Sequence, residues 1–106
     1  MSNLDGAPPQ VLEVHNAMVA NAQEMWDSPC IGAEVYTRPE TRYNSTTNEY
    51  TPTGSWLVGP NFEGWGSAMV FKEGTWFYRG RGDGVDRPMK GGHEEALGNA
   101  SCFFTG

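Results

Sequence analysis

The sequence predicts an α+β fold in which an N-terminal amphipathic helix packs on a curved antiparallel sheet of four to five strands. Apolar residues recur at helical spacing in the first quarter of the chain and then alternate with polar ones. Glycine supplies 14 of the 106 residues, which indicates many turns and argues against a helical bundle. Residues 1–7 are expected to be disordered, and residues 8–106 to form a single domain.

The helix is the first predicted element. Pro8 and Pro9 suit its first turn, where the missing amide hydrogen would have no partner in any case. It is expected to end before Pro29, because the residue that precedes a proline disfavours helical dihedral angles. Its apolar stripe consists of Val11, Leu12, Val14, Met18, Val19, Ala22, Met25 and Trp26.

Strands follow the helix. The predicted strands cover residues 30–37, 55–58, 66–72, 75–79 and 101–105. Glu73-Gly74 is a two-residue hairpin connection, residues 59–61 are a turn, and residues 93–97 are a short helical turn. The segment from Glu40 to Pro52 fits either an exposed hairpin around residues 44–48 or a flexible loop.

One helix followed by an antiparallel meander must bury its apolar stripe against one face of the sheet. This layout resembles those of the cystatins and the nuclear transport factors. The resemblance concerns architecture alone, and no function follows from it.

The charge distribution limits the classes of partner. The formal net charge is −6; residues 1–36 contain five acids and no lysine or arginine, whereas residues 72–90 contain five of the seven bases. General nucleic-acid binding is not expected of such a chain. No apolar run reaches the length of a membrane span, and no export signal is visible, so a cytoplasmic protein without membrane contact is expected.

The stretch from Tyr78 to Pro88 has a glycine at every second position from 80 to 84. Successive glycines can align backbone amides into an anion-binding nest, and nearby arginines can hold a carboxylate or phosphate. The alternative is a mobile connection that leaves a hairpin. The candidate contact residues of this stretch are Tyr78, Arg79, Arg81, Asp83 and Arg87.

Aromatic residues are more numerous than five short strands require. Trp and Tyr dominate binding hot spots, so Trp65 and Trp76 join the candidate contact residues. At least one of Trp56, Trp65 and Trp76 is expected to be accessible. Packing in the core is the alternative for most of the aromatic residues.

Catalytic and metal chemistry has weak support in the sequence. His15 and His93 could supply an acid–base pair, but nothing in the sequence brings them together. Cys30 and Cys102 are too far apart for a compact metal motif, and they are either free thiols or a disulfide. No catalytic residue, metal site or cofactor is therefore assigned.

The sequence favours a small non-enzymatic protein-binding module, such as an inhibitor or adaptor, that uses surface aromatics and the loop at residues 78–88. A protein partner is expected; an anionic ligand and a homodimer remain open. The alternative function is a small-molecule site or acid–base enzyme. Its pocket would lie between helix and sheet, lined by Met18, Met25 and Trp26.

Overall fold

The computed structural model describes residues 5–26, 35–60, 68–80 and 84–103. Within these ranges, two helices and five strands follow one another as α1 (Pro9–Trp26), β1 (Val35–Asn44), β2 (Glu49–Pro60), β3 (Ala68–Lys72), β4 (Thr75–Arg79), β5 (Asp86–Pro88) and α2 (Gly92–Ser101). The strands form one sheet in the order β1-β2-β3-β4-β5, with every neighbouring pair antiparallel. The predicted α+β class and the packing of α1 on the sheet are confirmed.

Helix α1 begins as the prolines predict. The Leu12 amide donates to the Pro8 carbonyl at 3.2 Å, which places Pro9 in the first turn, where no donor is needed. The innermost residues of the stripe are fully buried at spacings of three and four: Val11, Val14, Met18 and Ala22. The side chains of Met25 and Trp26 lie outside the described residues. Neither helix of the described ranges is long and apolar enough to cross a bilayer.

The sheet has two distinct faces. Residues paired across an antiparallel ladder share a face, and so do residues two apart along one strand. One face, which includes Val58, Met69, Phe71 and Trp76, packs against the helices as the main core. We call this the helix face. On the opposite face, Val70 is also buried.

Helix α2 replaces a predicted strand. Residues 101–105 were expected to close the sheet, but Ser101 is the last residue of α2, and residues 104–106 lie outside the described part of the chain. The predicted helical turn at 93–97 lies in the N-terminal part of this longer helix. Ala96 and Ala100 are fully buried; their small side chains let α2 pack closely on α1. The strand at residues 101–105 was predicted from its apolar residues alone, and these do not reveal the packing of α2 on α1.

The hairpins differ from the prediction mainly in length. The β3–β4 connection is confirmed, with positive φ at both Glu73 and Gly74, as a type I′ turn requires. The predicted turn at 59–61 is wrong for its first two residues, because Gly59 and Pro60 extend β2 and pair with Tyr36 and Val35. Residues 30–34 of the predicted first strand lie outside the described residues.

Candidate functional site

The β1–β2 hairpin projects beyond the rest of the sheet, and we call residues 40–54 the arm. Of the two alternatives for this segment, the hairpin is the one that forms, with a turn at residues 45–48. Among the described residues, the ladder between β2 and β3 covers Trp56 to Val58, so β2 runs on into the arm with β1 as its partner. Every residue from Thr41 to Gly54 is exposed.

The arm has one aromatic and one polar face. Tyr43 pairs with Tyr50, with ring centroids 5.0 Å apart, and Thr41 pairs with Pro52 on the same side. Arg42 and Thr51 take the opposite side. We call the surface made by Thr41, Tyr43, Tyr50 and Pro52 the tyrosine face.

The tyrosine face continues the helix face of the sheet. By the count along β1, Val35, Thr37 and Pro39 fall on one side, and Thr41 and Tyr43 fall on the same side beyond the register shift that separates Pro39 from Thr41. Val35 and Thr37 are 6% and 3% exposed, whereas Tyr43 is 49% exposed. Its partner Tyr50 is 70% exposed. The side of β1 that the helices bury at Val35 and Thr37 is therefore exposed to solvent on the arm, which the helices do not cover.

A charged cluster lies on the opposite face of the sheet. Arg79 and Asp86, neighbours in the β4–β5 ladder, form a two-pronged pair, with Nε to Oδ1 at 2.7 Å and Nη2 to Oδ2 at 3.1 Å. Lys72 passes over the Phe77 ring, and its Nζ reaches Asp86 Oδ2 at 2.8 Å. Arg79 Nη1 also donates to Glu40 Oε2 at 2.7 Å.

The charges of the cluster hold one another in the ionised state. The Arg79 guanidinium, then Lys72, lowers the pKa of the Asp86 carboxyl from 3.8 to about 2, against the opposing effect of burial. The hydrogen bond from Asp86 likewise raises the Arg79 pKa above its already high ordinary value. Because three Arg79 hydrogen bonds go to carboxylates, an incoming anion would have to compete with both Asp86 and Glu40.

The arm and the charged cluster border an open groove of about 870 Å³. The charged side chains on its wall are Glu40, Arg42, Lys72, Glu73, Arg79 and Asp86. Among the described residues, three positive and three negative side chains line the groove, so this part of its wall has no net charge that would select an anion. Thr41 and Tyr43 of the arm also border it. Of the residues expected to line a pocket between helix and sheet, Met18 is fully buried in the core, and the side chains of Met25 and Trp26 lie outside the described residues.

The predicted contact residues occupy different environments. Trp76 is 1% exposed and belongs to the core, so it does not contribute to an exposed aromatic surface. Tyr78 is 38% exposed and pairs with the exposed Arg87 on β5. Arg79 is held within the charged cluster. The other three predicted residues, Trp65, Arg81 and Asp83, lie outside the described residues.

The two histidines make separate structural contacts. The Trp76 indole can only donate, so His93 Nδ1 accepts its hydrogen bond at 3.1 Å, and His93 Nε2 donates to Glu13 Oε2 at 2.6 Å. His93 thereby connects α2 to β4 and α1. His15 Nδ1 contacts the Thr37 hydroxyl at 2.7 Å, and burial lowers its pKa. Neither geometry brings the two together as an acid–base pair.

Cys102 is an exposed free thiol, which donates to the Gly98 carbonyl. Cys30 lies outside the described residues. Within the described ranges, no three histidine, cysteine or acidic side chains converge as metal ligands.

The tyrosine face and the partners of Arg79 were not predicted. The alternation of Thr41, Tyr43, Tyr50 and Pro52 was visible in the sequence and could have indicated an amphipathic hairpin. No local signal indicates that Glu40 meets Arg79, since 39 residues separate them in the chain and β2 and β3 separate them in the sheet.

Comparisons with protein-family models, with curated proteins and with solved structures give no match to this chain. The resemblance to cystatin and nuclear-transport-factor layouts is therefore supported only by the kinds of element present.

Proposed function

We propose that this chain is a non-enzymatic protein-binding module, of the inhibitor or adaptor kind, whose main contact surface is the tyrosine face of the arm. One observation carries the proposal: a side of the sheet that is buried beneath α1 at Val35 and Thr37 continues outward as the exposed pair Tyr43 and Tyr50.

Exposed aromatic area on the arm supports the proposal. Tyrosines supply large, rigid contact surfaces with a polar tip, and they are enriched at protein interfaces and among binding hot spots. A two-stranded hairpin is marginally stable by itself in water. Contact of a partner with the tyrosine face would remove the aromatic rings from water and support the hairpin at the same time.

The partner is expected to contact the face of the arm rather than add a strand to its edges. Pro52 lies within the arm, and Pro39 directly precedes it. Neither residue can donate a backbone hydrogen bond, and prolines on edge strands discourage pairing with another chain. A side-chain surface on the partner therefore fits this arm better than an extended peptide.

The stretch at residues 78–88 is kept as a second contact region. Tyr78 and Val85 are 38% and 49% exposed and, with Arg87, form the part of the predicted site that the structure describes at the surface. Arg79 is not assigned to partner binding, because its guanidinium already meets two carboxylates of its own chain.

Affinity capture with three matched variants tests the proposal. The tagged protein, Tyr43→Ser/Tyr50→Ser and Tyr78→Ser are each incubated with lysate of the source organism, and bound proteins are quantified by mass spectrometry. We expect a specific partner to be lost with the arm variant and retained with Tyr78→Ser, with all three proteins folded by circular dichroism.

Two other results would overturn the assignment. Loss of the partner with Tyr78→Ser alone would move the contact surface to residues 78–88. Equal capture by all three proteins would show that the tyrosines of neither region contact the partner.

A further inference from the structure

The base of the arm is a break in the β1–β2 ladder. Register pairs end at Pro39 with Trp56 and resume at Thr41 with Pro52. One residue of β1 and three of β2, residues 53–55, therefore have no ladder partner across this break. Gly54 has φ of +91°, a conformation that other residues rarely adopt. Both strands thus depart from regular geometry at the same level.

Side-chain hydrogen bonds replace the missing ladder, and they are long. The Thr53 hydroxyl lies 3.3 Å from both the backbone carbonyl and the Oε1 carboxylate atom of Glu40. The Ser55 amide donates to the same hydroxyl at 3.3 Å. These distances exceed the usual range for hydroxyl hydrogen bonds, so the junction is weakly held from within.

The strong contact at the junction comes from another strand. Glu40 Oε2 accepts from Arg79 Nη1 at 2.7 Å, and each side chain is only 24% exposed. This ion pair joins the base of the arm to β4 across β2 and β3, which requires the sheet to curve toward that side. Asp86 holds the rest of the Arg79 guanidinium, so the arginine is a fixed anchor.

We propose that the Glu40–Arg79 ion pair is a latch that sets the direction of the arm, and that the arm pivots at residues 53–55 when the pair opens. Hinges are short segments that absorb changes in backbone angles, and this junction combines an unpaired ladder with a positive-φ glycine. The latched arm presents the tyrosine face in one orientation. A partner then loses less conformational freedom on binding, a consequence that rests on the proposed function.

Hydrogen exchange of the free protein tests the latch without any partner. Glu40→Ala is compared with Glu49→Ala, which removes the same side chain near the tip of the arm. Glu49 is exposed and forms no ion pair with the described residues. We expect backbone amides of residues 41–53 to exchange about fivefold faster in Glu40→Ala than in the wild type. Glu49→Ala should match the wild type, and β3 and β4 should be unchanged in both.

Two outcomes would overturn the latch. Unchanged exchange of the arm in Glu40→Ala would show that the ion pair does not restrain it, and an equal rise across β3 and β4 would indicate general destabilisation. A spin-label distance between residues 47 and 95, on a background with serine at positions 30 and 102, gives a second readout. The distribution of distances between the two labels should broaden only in Glu40→Ala. Either failure leaves the capture result with Tyr43→Ser/Tyr50→Ser standing.

Discussion

The two halves of β1 have the same side-chain alternation and opposite surroundings. Val35 and Thr37 are buried where α1 packs on the sheet, whereas Tyr43, on the same side of the same strand, is half exposed. The difference depends on whether a helix reaches that part of the strand. Alternation therefore identifies a face that is suited to burial, and the tertiary structure determines whether the chain itself buries it.

The largest difference in unfolding free energy is expected between substitutions of Trp76 and of Tyr50. Trp76→Ala removes a fully buried side chain and leaves His93 without its donor, so it should lower the free energy of unfolding by about 3–5 kcal/mol. Urea denaturation measures this change. A loss below about 1 kcal/mol would mean that the helix face is not the main core.

The second largest effect on stability is expected in the charged cluster. Asp86→Asn removes the charge that holds Arg79 and Lys72 together, and we expect a loss of about 1.5–3 kcal/mol in the free energy of unfolding. Glu49→Gln on the arm is the matched control and should change stability by less than about 0.5 kcal/mol. Equal effects would contradict the distinction between the cluster and the arm.

The same carboxylate predicts acid sensitivity. Its folded pKa of about 2 is below the ordinary value of 3.8, so its stabilising contribution is present above pH 3.8 and is lost as the pH falls toward 2. Stability measured by urea denaturation should decline over that interval in the wild type and decline less in Asp86→Asn. Parallel curves would contradict the assigned interaction.

His15 should produce a smaller effect near neutral pH. Burial lowers its pKa, which means that the fold favours the neutral ring. The contribution of His15 to the free energy of unfolding should therefore be fully present above pH 6.5, its ordinary pKa. It should fall as the pH drops below that value, because the unfolded chain takes up the proton first. The difference in thermal midpoint between His15→Gln and the wild type should depend on pH in this interval. A difference in thermal midpoint that does not change with pH would contradict this role of His15.

The smallest effect on stability is expected at the tyrosine face. Tyr50→Ser should change the free energy of unfolding by no more than about 0.5–1 kcal/mol, since the ring is 70% exposed and contacts mainly Tyr43. Thermal unfolding followed by circular dichroism is sufficient to detect a larger change. A loss comparable to that of Trp76→Ala would show that the ring is buried in solution.

The elements predictable from the sequence were those with a complete local pattern. Helix α1 has both a proline start and a periodic apolar stripe, and Glu73-Gly74 has the residues that a type I′ turn needs. Helix α2 and β5 lacked such signals. Two alanines do not define a stripe, and a three-residue strand that contains Pro88 has too few side chains to alternate.

The candidate site was less predictable, because its members are brought together by distant parts of the chain. Arg79 was singled out, but its role depends on Glu40 and Asp86, which no local pattern links to it. Trp76 was taken as a candidate contact residue because Trp and Tyr dominate binding hot spots. Its burial depends on α2, which supplies His93 and was not predicted as a full helix.

Site-specific photocrosslinking tests the central claim most directly. A benzophenone amino acid replaces Tyr50 on the arm or, in a control protein, Glu95 on the exposed side of α2, and both are irradiated in the source organism. We expect a discrete protein adduct from position 50 and none from position 95. An adduct from position 95 alone, or none from position 50 when the variant is folded, would contradict the assignment of the tyrosine face as the contact surface.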